Sequence, residues 1–162
     1  LLQLIGKKNS RVLGIDIDIR KHALHVYKSH FLRKRLKFIE GSSTDDKTVK
    51  KVSKYAKKFK KILVILDSSH THNHVLNELK LYSEFVSHKS YLMVYDTTIH
   101  KFNPTRLKKL KRTMPNSDTK ENPYTAIKSF LKINKKFKIL EKYNSRVLAT
   151  NLWNGVLIKN KK

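Results

Sequence analysis

Five consecutive aliphatic residues, ILVIL at 62–66, run without interruption into Asp67, and a helical pattern starts within a few positions. A run this short suits a strand better than a buried helix. A continuous apolar strand has two buried faces, the situation found in parallel sheets covered by helices. That restricts the fold more than any other stretch, because it asks for a layered α/β arrangement rather than a bundle or a sandwich.

The rest of the chain repeats the theme. Residues 11–18, RVLGIDID, read as a strand, and residues 19–31 as mixed with at least one helical turn. LKFIEGSS at 36–43 is a second strand ending at Gly41. SSTDDKTVKKVSKYAKKF then opens on good capping residues and carries Val49, Val52, Ala56 and Phe59 at helical spacing. After KKILVILD (60–67), Val75, Leu76, Leu79, Tyr82 and Val86 mark the next helix. SYLMVYDTT (90–98) is the next strand, and a polar loop spans about 101–122. PYTAIKSFLKIN is a helix with Pro123 in its first turn. FKILEKY and RVLATNLWNGVLIKN read as strands, with LWNG as a hairpin turn. Residues 1–5 read as a helix end with Gly6 as its C-cap. The order β-α-β-α-β-α-β-α-β-β predicts a Rossmann-like, mostly parallel sheet with an antiparallel C-terminal edge, in one domain over 1–162.

Composition narrows the chemistry. There is no cysteine, so disulfides and thiolate metal sites are excluded, which fits a reducing, cytoplasmic setting. No apolar run approaches the roughly 18 residues of a membrane span. The net charge of +25 would attract phosphates. The lysines, however, are spread over every element, as solvated faces are, so no specific nucleic-acid partner is expected.

Ligands of open α/β sheets bind beyond the carboxyl ends of the strands. Four such ends are polar here: Asp16 and Asp18; Glu40, Gly41, Ser42 and Ser43; Asp67, Ser68, Ser69 and His70; and Tyr95, Asp96, Thr97 and Thr98. A carboxylate after an early strand accepts the hydroxyls of a ribose, and Asp16 is better placed for that than Asp18, with a turn carboxylate as the alternative. Gly41 would let the backbone approach a flat ring and Ser42 or Ser43 bond to its edge, unless Ser43 or Thr44 only caps the following helix. Asp67 and Asp96 close adjacent strands and would converge on one hard cation such as magnesium, with His70 as a general base beside it. In the alternative, Asp67 or Ser69 caps the helix and His70 is a polar first-turn residue. HTHNH departs from the zinc pattern H-x-H-x-D-H, so His72 and His74 read as decoration of the helix start. His70 and His74 could share a helical face, but no third zinc ligand is specified nearby.

VLGIDIDIR, IEGSSTD, LDSSHTHNHVLNELKLYSEFVSHKSYLMVYDT and NPYTAIKSFL occur in that order. Together they closely resemble the cephalosporin hydroxylase / rhamnosyl O-methyltransferase family, over about residues 1–158, with 64–97 the most specific part. Members are class I S-adenosylmethionine (SAM) methyltransferases, several acting on sugar hydroxyls with magnesium. The resemblance implies that Asp16 receives the SAM ribose and that Gly41, Ser42 and Ser43 flank adenine. It also implies Asp67 and Asp96 as magnesium ligands and His70 as the base.

Two departures stand out. The family usually has Glu just before the second Asp, where this chain has Tyr95, a poor magnesium ligand. The family also carries a first strand and a glycine-rich turn ahead of the point where this sequence begins, so an N-terminally incomplete domain is expected. The expected activity is a direct methyl transfer to a small-molecule hydroxyl acceptor, sugar-like or otherwise polyhydroxylated, in a possible homo-oligomer. The alternatives are a methyltransferase-fold domain that has lost catalysis, or a basic nucleic-acid-binding module.

Overall fold

The computed structural model describes residues 9–144 and 150–161. The chain divides into two compact units, Leu1–Val52 and Ser53–Lys162. The expected helix end at 1–5 with its Gly6 cap lies outside the described residues, as does the 145–149 part of the last expected strand.

In the first unit, β1 (Val12–Asp16) pairs in parallel with β2 (Leu36–Glu40), from Val12 opposite Leu36 to Asp16 opposite Glu40. Parallel neighbours need a crossover, and α1 (Lys21–Ser29) supplies it. Tyr27 of α1 fastens that helix to β2. Its hydroxyl donates to the Leu36 carbonyl at 3.2 Å, and its ring meets Phe38 edge-on at 5.0 Å between centroids. Phe38 in turn lies over Gly14, where a Cβ would stand 2.7 Å from its ring carbons. The glycine inside an otherwise apolar strand is thus the space the aromatic ring takes. The helix α2 (Asp46–Ala56) starts where the sequence places a capping cluster. The residue that caps it is Asp45, whose Oδ2 accepts from the Thr48 amide at 3.2 Å, rather than Ser43 or Thr44.

The second unit is a four-stranded sheet in the order β3-β4-β6-β5, formed by β3 (Val64–Leu66), β4 (Tyr91–Val94), β5 (Phe137–Ile139) and β6 (Val156–Lys159). β3 and β4 are parallel, whereas β6 runs antiparallel to both β4 and β5. The mixed α/β architecture, with parallel pairs β1-β2 and β3-β4 and antiparallel C-terminal strands, is the one expected. Register sorts the side chains. Val64 lies opposite Leu92, Leu66 opposite Val94, and Leu92 opposite Leu157, so these five share one face. The helices α3 (His72–Tyr82) and α5 (Pro123–Ile133) pack together, and their Val75, Leu79, Tyr82, Ala126, Ile127 and Phe130 are buried with Leu66, Leu92, Val94 and Leu157.

Three local expectations change. The apolar run yields a strand of only three residues, and Ile65, whose side chain alternates to the other face, is 40% exposed. The run therefore does not have two buried faces within its own unit. The stretch read as loop at 101–122 contains α4 (Pro104–Leu110), which Asn103 caps by accepting from the Arg106 amide at 2.8 Å. Asn-Pro at a helix start is a legible signal, but three basic residues in seven and the short length hid it. LWNG does form a turn, with Asn154 at φ 54°, and β6 follows it.

Candidate active site

Parallel pairing of β3 and β4 brings their carboxyl ends to one edge, and the Tyr95 amide extends the ladder by donating to the Leu66 carbonyl at 2.9 Å. Asp67 follows Leu66 directly, and Asp96 follows Tyr95. Asp96 has φ 55° and ψ 24°, the left-handed region that a side chain occupies at a cost of order 1 kcal/mol. It is held there by its surroundings. Its Oδ1 accepts from Asn151 Nδ2 at 3.4 Å, and the Asn151 carbonyl accepts from both the amide (3.0 Å) and the hydroxyl (3.1 Å) of Thr97.

His70 completes the cluster. Its Nε2 lies 2.6 Å from Asp96 Oδ2. That atom is sealed from solvent, and the Asp96 carboxylate is the group it meets. Ligand-capable atoms of Asp67, His70 and Asp96 all lie within 4.8 Å of one another. The electrostatics follow from that crowding. Contact with the Asp96 carboxylate raises the His70 imidazole above its usual range; burial opposes this, and the charges of Asp96 and Asp67 add to it. His70 correspondingly holds Asp96 below the ordinary carboxylate range. Partial burial and then the Asp96 charge push Asp67 up, although its side chain still reaches solvent. Two carboxyl groups repelling one another, beside a buried imidazole nitrogen, form a set that a small cation would stabilise.

The three histidines of HTHNH take three different partners. His70 faces the carboxylates. His72 Nδ1 shares a hydrogen bond of 2.8 Å with Thr125 Oγ1 at the start of α5, so it is more than decoration of its own helix. Thr125 also closes a capping box with the fully buried Asn122. His74 Nε2 lies 3.5 Å from Glu78 Oε1. Asn151, Thr125 and Glu78 were missed in the sequence because each acts through tertiary contact, with partners as far as 55 positions away.

The residues expected to bind a nucleoside lie in the first unit. Asp16 and Glu40 end neighbouring parallel strands, and the Gly41 amide donates to the Asp16 carbonyl at 2.8 Å. Asp16 lines a concavity of about 520 Å³ with Ile17, Arg20, Tyr27 and Phe38 among others. Its Oδ1 also accepts from the Asp18 amide at 3.1 Å, so the carboxylate serves its own turn as well. Gly41 has φ 147°, a backbone that favours glycine. Ser42 Oγ is engaged locally, 3.1 Å from Thr44 Oγ1. Neither Gly41 nor Ser42 or Ser43 borders that concavity.

A family model described as rhamnosyl O-methyltransferase/CmcI matches residues 1–160. Rhamnosyl O-methyltransferases of Mycobacterium tuberculosis (strain ATCC 25618 / H37Rv) and Mycobacterium bovis (strain BCG / Pasteur 1173P2) are each 41% identical over 64 residues, which is 39% of this chain and 26% of theirs. Among solved structures, the MycE methyltransferase of the mycinamycin biosynthetic pathway, in complex with Mg and SAH, superposes with a TM-score of 0.50 at 16% identity. It covers 99% of this chain and 47% of its own. The complex with Mg, SAH and mycinamycin VI gives the same score at 17% identity. This chain thus spans about a quarter of the curated relatives and about half of the solved methyltransferase, and the structural likeness establishes the fold. No helix among the described residues is long and apolar enough to cross a membrane.

Proposed function

The chain belongs to the rhamnosyl O-methyltransferase/CmcI family, and from that premise we propose that it forms the catalytic region of a SAM-dependent O-methyltransferase acting, with magnesium, on a hydroxyl of a sugar-like or polyhydroxylated small molecule. We read both compact units as parts of one methyltransferase-like domain. The observation that carries the proposal is the convergence of Asp67, His70 and Asp96 at one sheet edge, with the buried imidazole Nε2 2.6 Å from Asp96 Oδ2. The Mg and SAH in the MycE complexes support the same reading.

Asp67 and Asp96 would hold the metal through oxygen atoms, as a hard cation requires. Magnesium, when bound, lowers the pKa of an acceptor hydroxyl, and SAM supplies the methyl group. His70 would take the hydroxyl proton on its imidazole as the acceptor oxygen bonds to the methyl carbon and the carbon–sulfur bond of SAM breaks, leaving S-adenosylhomocysteine. Asp96, 2.6 Å away, orients the imidazole and balances the charge it gains. Asp16 would receive the ribose of SAM at the mouth of the first unit's concavity, with Gly41, Ser42 and Ser43 beside the adenine. Holding the reactants in line supplies much of the rate.

A second reading has a specific observation behind it. His70 lies close enough to both carboxylates to be a third ligand instead of the base. Transfer of labelled methyl from SAM to a panel of hydroxylated glycosides, with magnesium and with chelator, tests the main proposal. Incorporation that chelator abolishes and magnesium restores is expected. Transfer indifferent to chelator would remove the metal from the mechanism, and no transfer to any hydroxyl acceptor would overturn the proposal. If His70→Ala loses turnover while magnesium affinity holds, His70 is the base. If affinity collapses as well, it is a ligand.

A further inference from the structure

Glu78 is the one carboxyl side chain buried in the described residues, at 2% exposure. It stands on the inner side of α3 among Val75, Leu79 and Tyr82, where an apolar residue would pack at no desolvation cost. Its two oxygens take different partners. Oε2 accepts from Ser68 Oγ at 2.7 Å, and Oε1 lies 3.5 Å from His74 Nε2. Ser68 is ten positions back, immediately after Asp67 and two before His70. Ser68 is itself exposed, and its hydroxyl is anchored on Glu78. The 67–71 segment has no regular secondary structure and must still present two side chains to Asp96.

From this we infer that Glu78 is a positioning residue for the candidate metal site: by accepting from Ser68 it ties the loop carrying Asp67 and His70 to the buried side of α3. This rests on the reading of Asp67 and Asp96 as metal ligands. A rigid helix would in this way set the spacing of ligands that lie on a loop, as supporting shells around metal sites do. The contact with His74 fixes the other oxygen, so the carboxyl group keeps one orientation.

Manganese binding, followed by electron paramagnetic resonance on the full chain, tests this without any need for turnover. Ser68→Ala removes the donor at an exposed position and leaves the core intact. Glu78→Met removes both acceptor oxygens and leaves an unbranched apolar side chain at this buried position. Each should weaken manganese binding by roughly tenfold, as loss of an outer partner does. Both changes cut the same link, so the double variant should also lose about tenfold rather than about a hundredfold. Leu79→Ala loosens the same helix without touching the link. At a temperature where it is folded, it should leave affinity within about twofold.

Unchanged affinity in Ser68→Ala would overturn the inference, as would additive losses in the double variant or an equal loss in Leu79→Ala. If Glu78→Met does not fold, Ser68→Ala and Leu79→Ala still decide it. Failure of the parent chain to bind manganese at all is a different result, and it would overturn the metal-site reading itself.

Discussion

In the second unit Leu79, Leu92, Ala126, Ile127 and Leu157 are completely buried, and the sheet edge that carries Asp67 and Asp96 is built directly on them. Among the described residues of the first unit the buried apolar side chains are Ile39 and Val52, and α1 buries none. The contrast extends to the polar residues. Asp96 is fixed by His70 and Asn151, contacts 26 and 55 positions apart, whereas Asp16 bonds two positions along its own turn and Ser42 does the same. Residues proposed to do chemistry are thus held by a core, and residues proposed to hold a nucleoside are held by local turns. The physical lesson is that a methyl transfer tolerates little misplacement of base and metal. A flat nucleoside gripped through hydroxyls and edges asks less of its surroundings.

The largest expected effect tests that division directly. His70→Ala should lower turnover by roughly 10²–10⁴-fold at saturating SAM if His70 is the base. Asp16→Asn should raise the KM for SAM and spare most of the turnover. Initial rates over a range of SAM concentrations separate the two. Equal loss of turnover in both variants would break the comparison. His72→Ala should cost far less than His70→Ala, because it removes one link between α3 and α5 and no reacting group.

Stability gives the second test. Leu79→Ala, at 0% exposure in the second unit, should cost about 2–5 kcal/mol, the range for a large-to-small change in a closed core. Leu24→Ala in α1, which buries no residue, should cost under about 1 kcal/mol. Denaturant unfolding of both variants measures the difference. Similar losses would show the first unit to be as firmly packed as the second.

A smaller effect is expected at Gly41. An alanine there would have to hold φ near 147° and set its Cβ 2.7 Å from Thr48 Oγ1, which is itself buried. Strain of this kind costs about 1–3 kcal/mol. Because the strain falls on the turn proposed to flank adenine, Gly41→Ala should weaken SAM binding in isothermal titration as well as lower stability. A loss of stability with unchanged SAM affinity would detach this turn from the nucleoside.

How much of this was legible in the sequence depends on how local the cause is. Strand and helix order followed from apolar periodicity, and Asp67 and Asp96 were found because parallel neighbours must end on one edge. The ILVIL run at 62–66 predicted a strand, but not its short length or the exposure of Ile65, because ladder length depends on a partner strand elsewhere in the chain. Asp45 as the true cap of α2 was obscured because it lies in a run of five capping-competent residues, SSTDD at 42–46. Asn151 was read as part of a strand and gave no sign of its contact with Asp96. Glu78 lies within a helical pattern whose apolar marks, Val75, Leu76, Leu79 and Tyr82, say nothing of it. Only the fold shows that it points inward and reaches a loop ten residues earlier.

The smallest effect concerns the residue that departs from the family pattern. Tyr95 stands between the last residue of β4 and Asp96, at partial burial, with its amide committed to the Leu66 carbonyl. That backbone bond fixes where the residue sits whatever its side chain, so Tyr95→Glu should fold and should place a third carboxyl group near the edge that holds Asp67 and Asp96. Two carboxylates satisfy only part of the six oxygen positions of magnesium, and waters or acceptor hydroxyls fill the rest. A third anionic ligand should therefore tighten magnesium by a few-fold. The gain is held down by repulsion among three carboxyl groups in the absence of the ion, a repulsion already visible in the raised Asp67. Asp67→Asn should move affinity the other way. Calorimetric titration of magnesium into both variants and the parent gives the comparison. If Tyr95→Glu leaves affinity where it was, the side chain at 95 points away from the cation. The metal would then be held by Asp67 and Asp96 alone or together with His70, and the second unit would reach its ligand set by a route different from that of the family pattern.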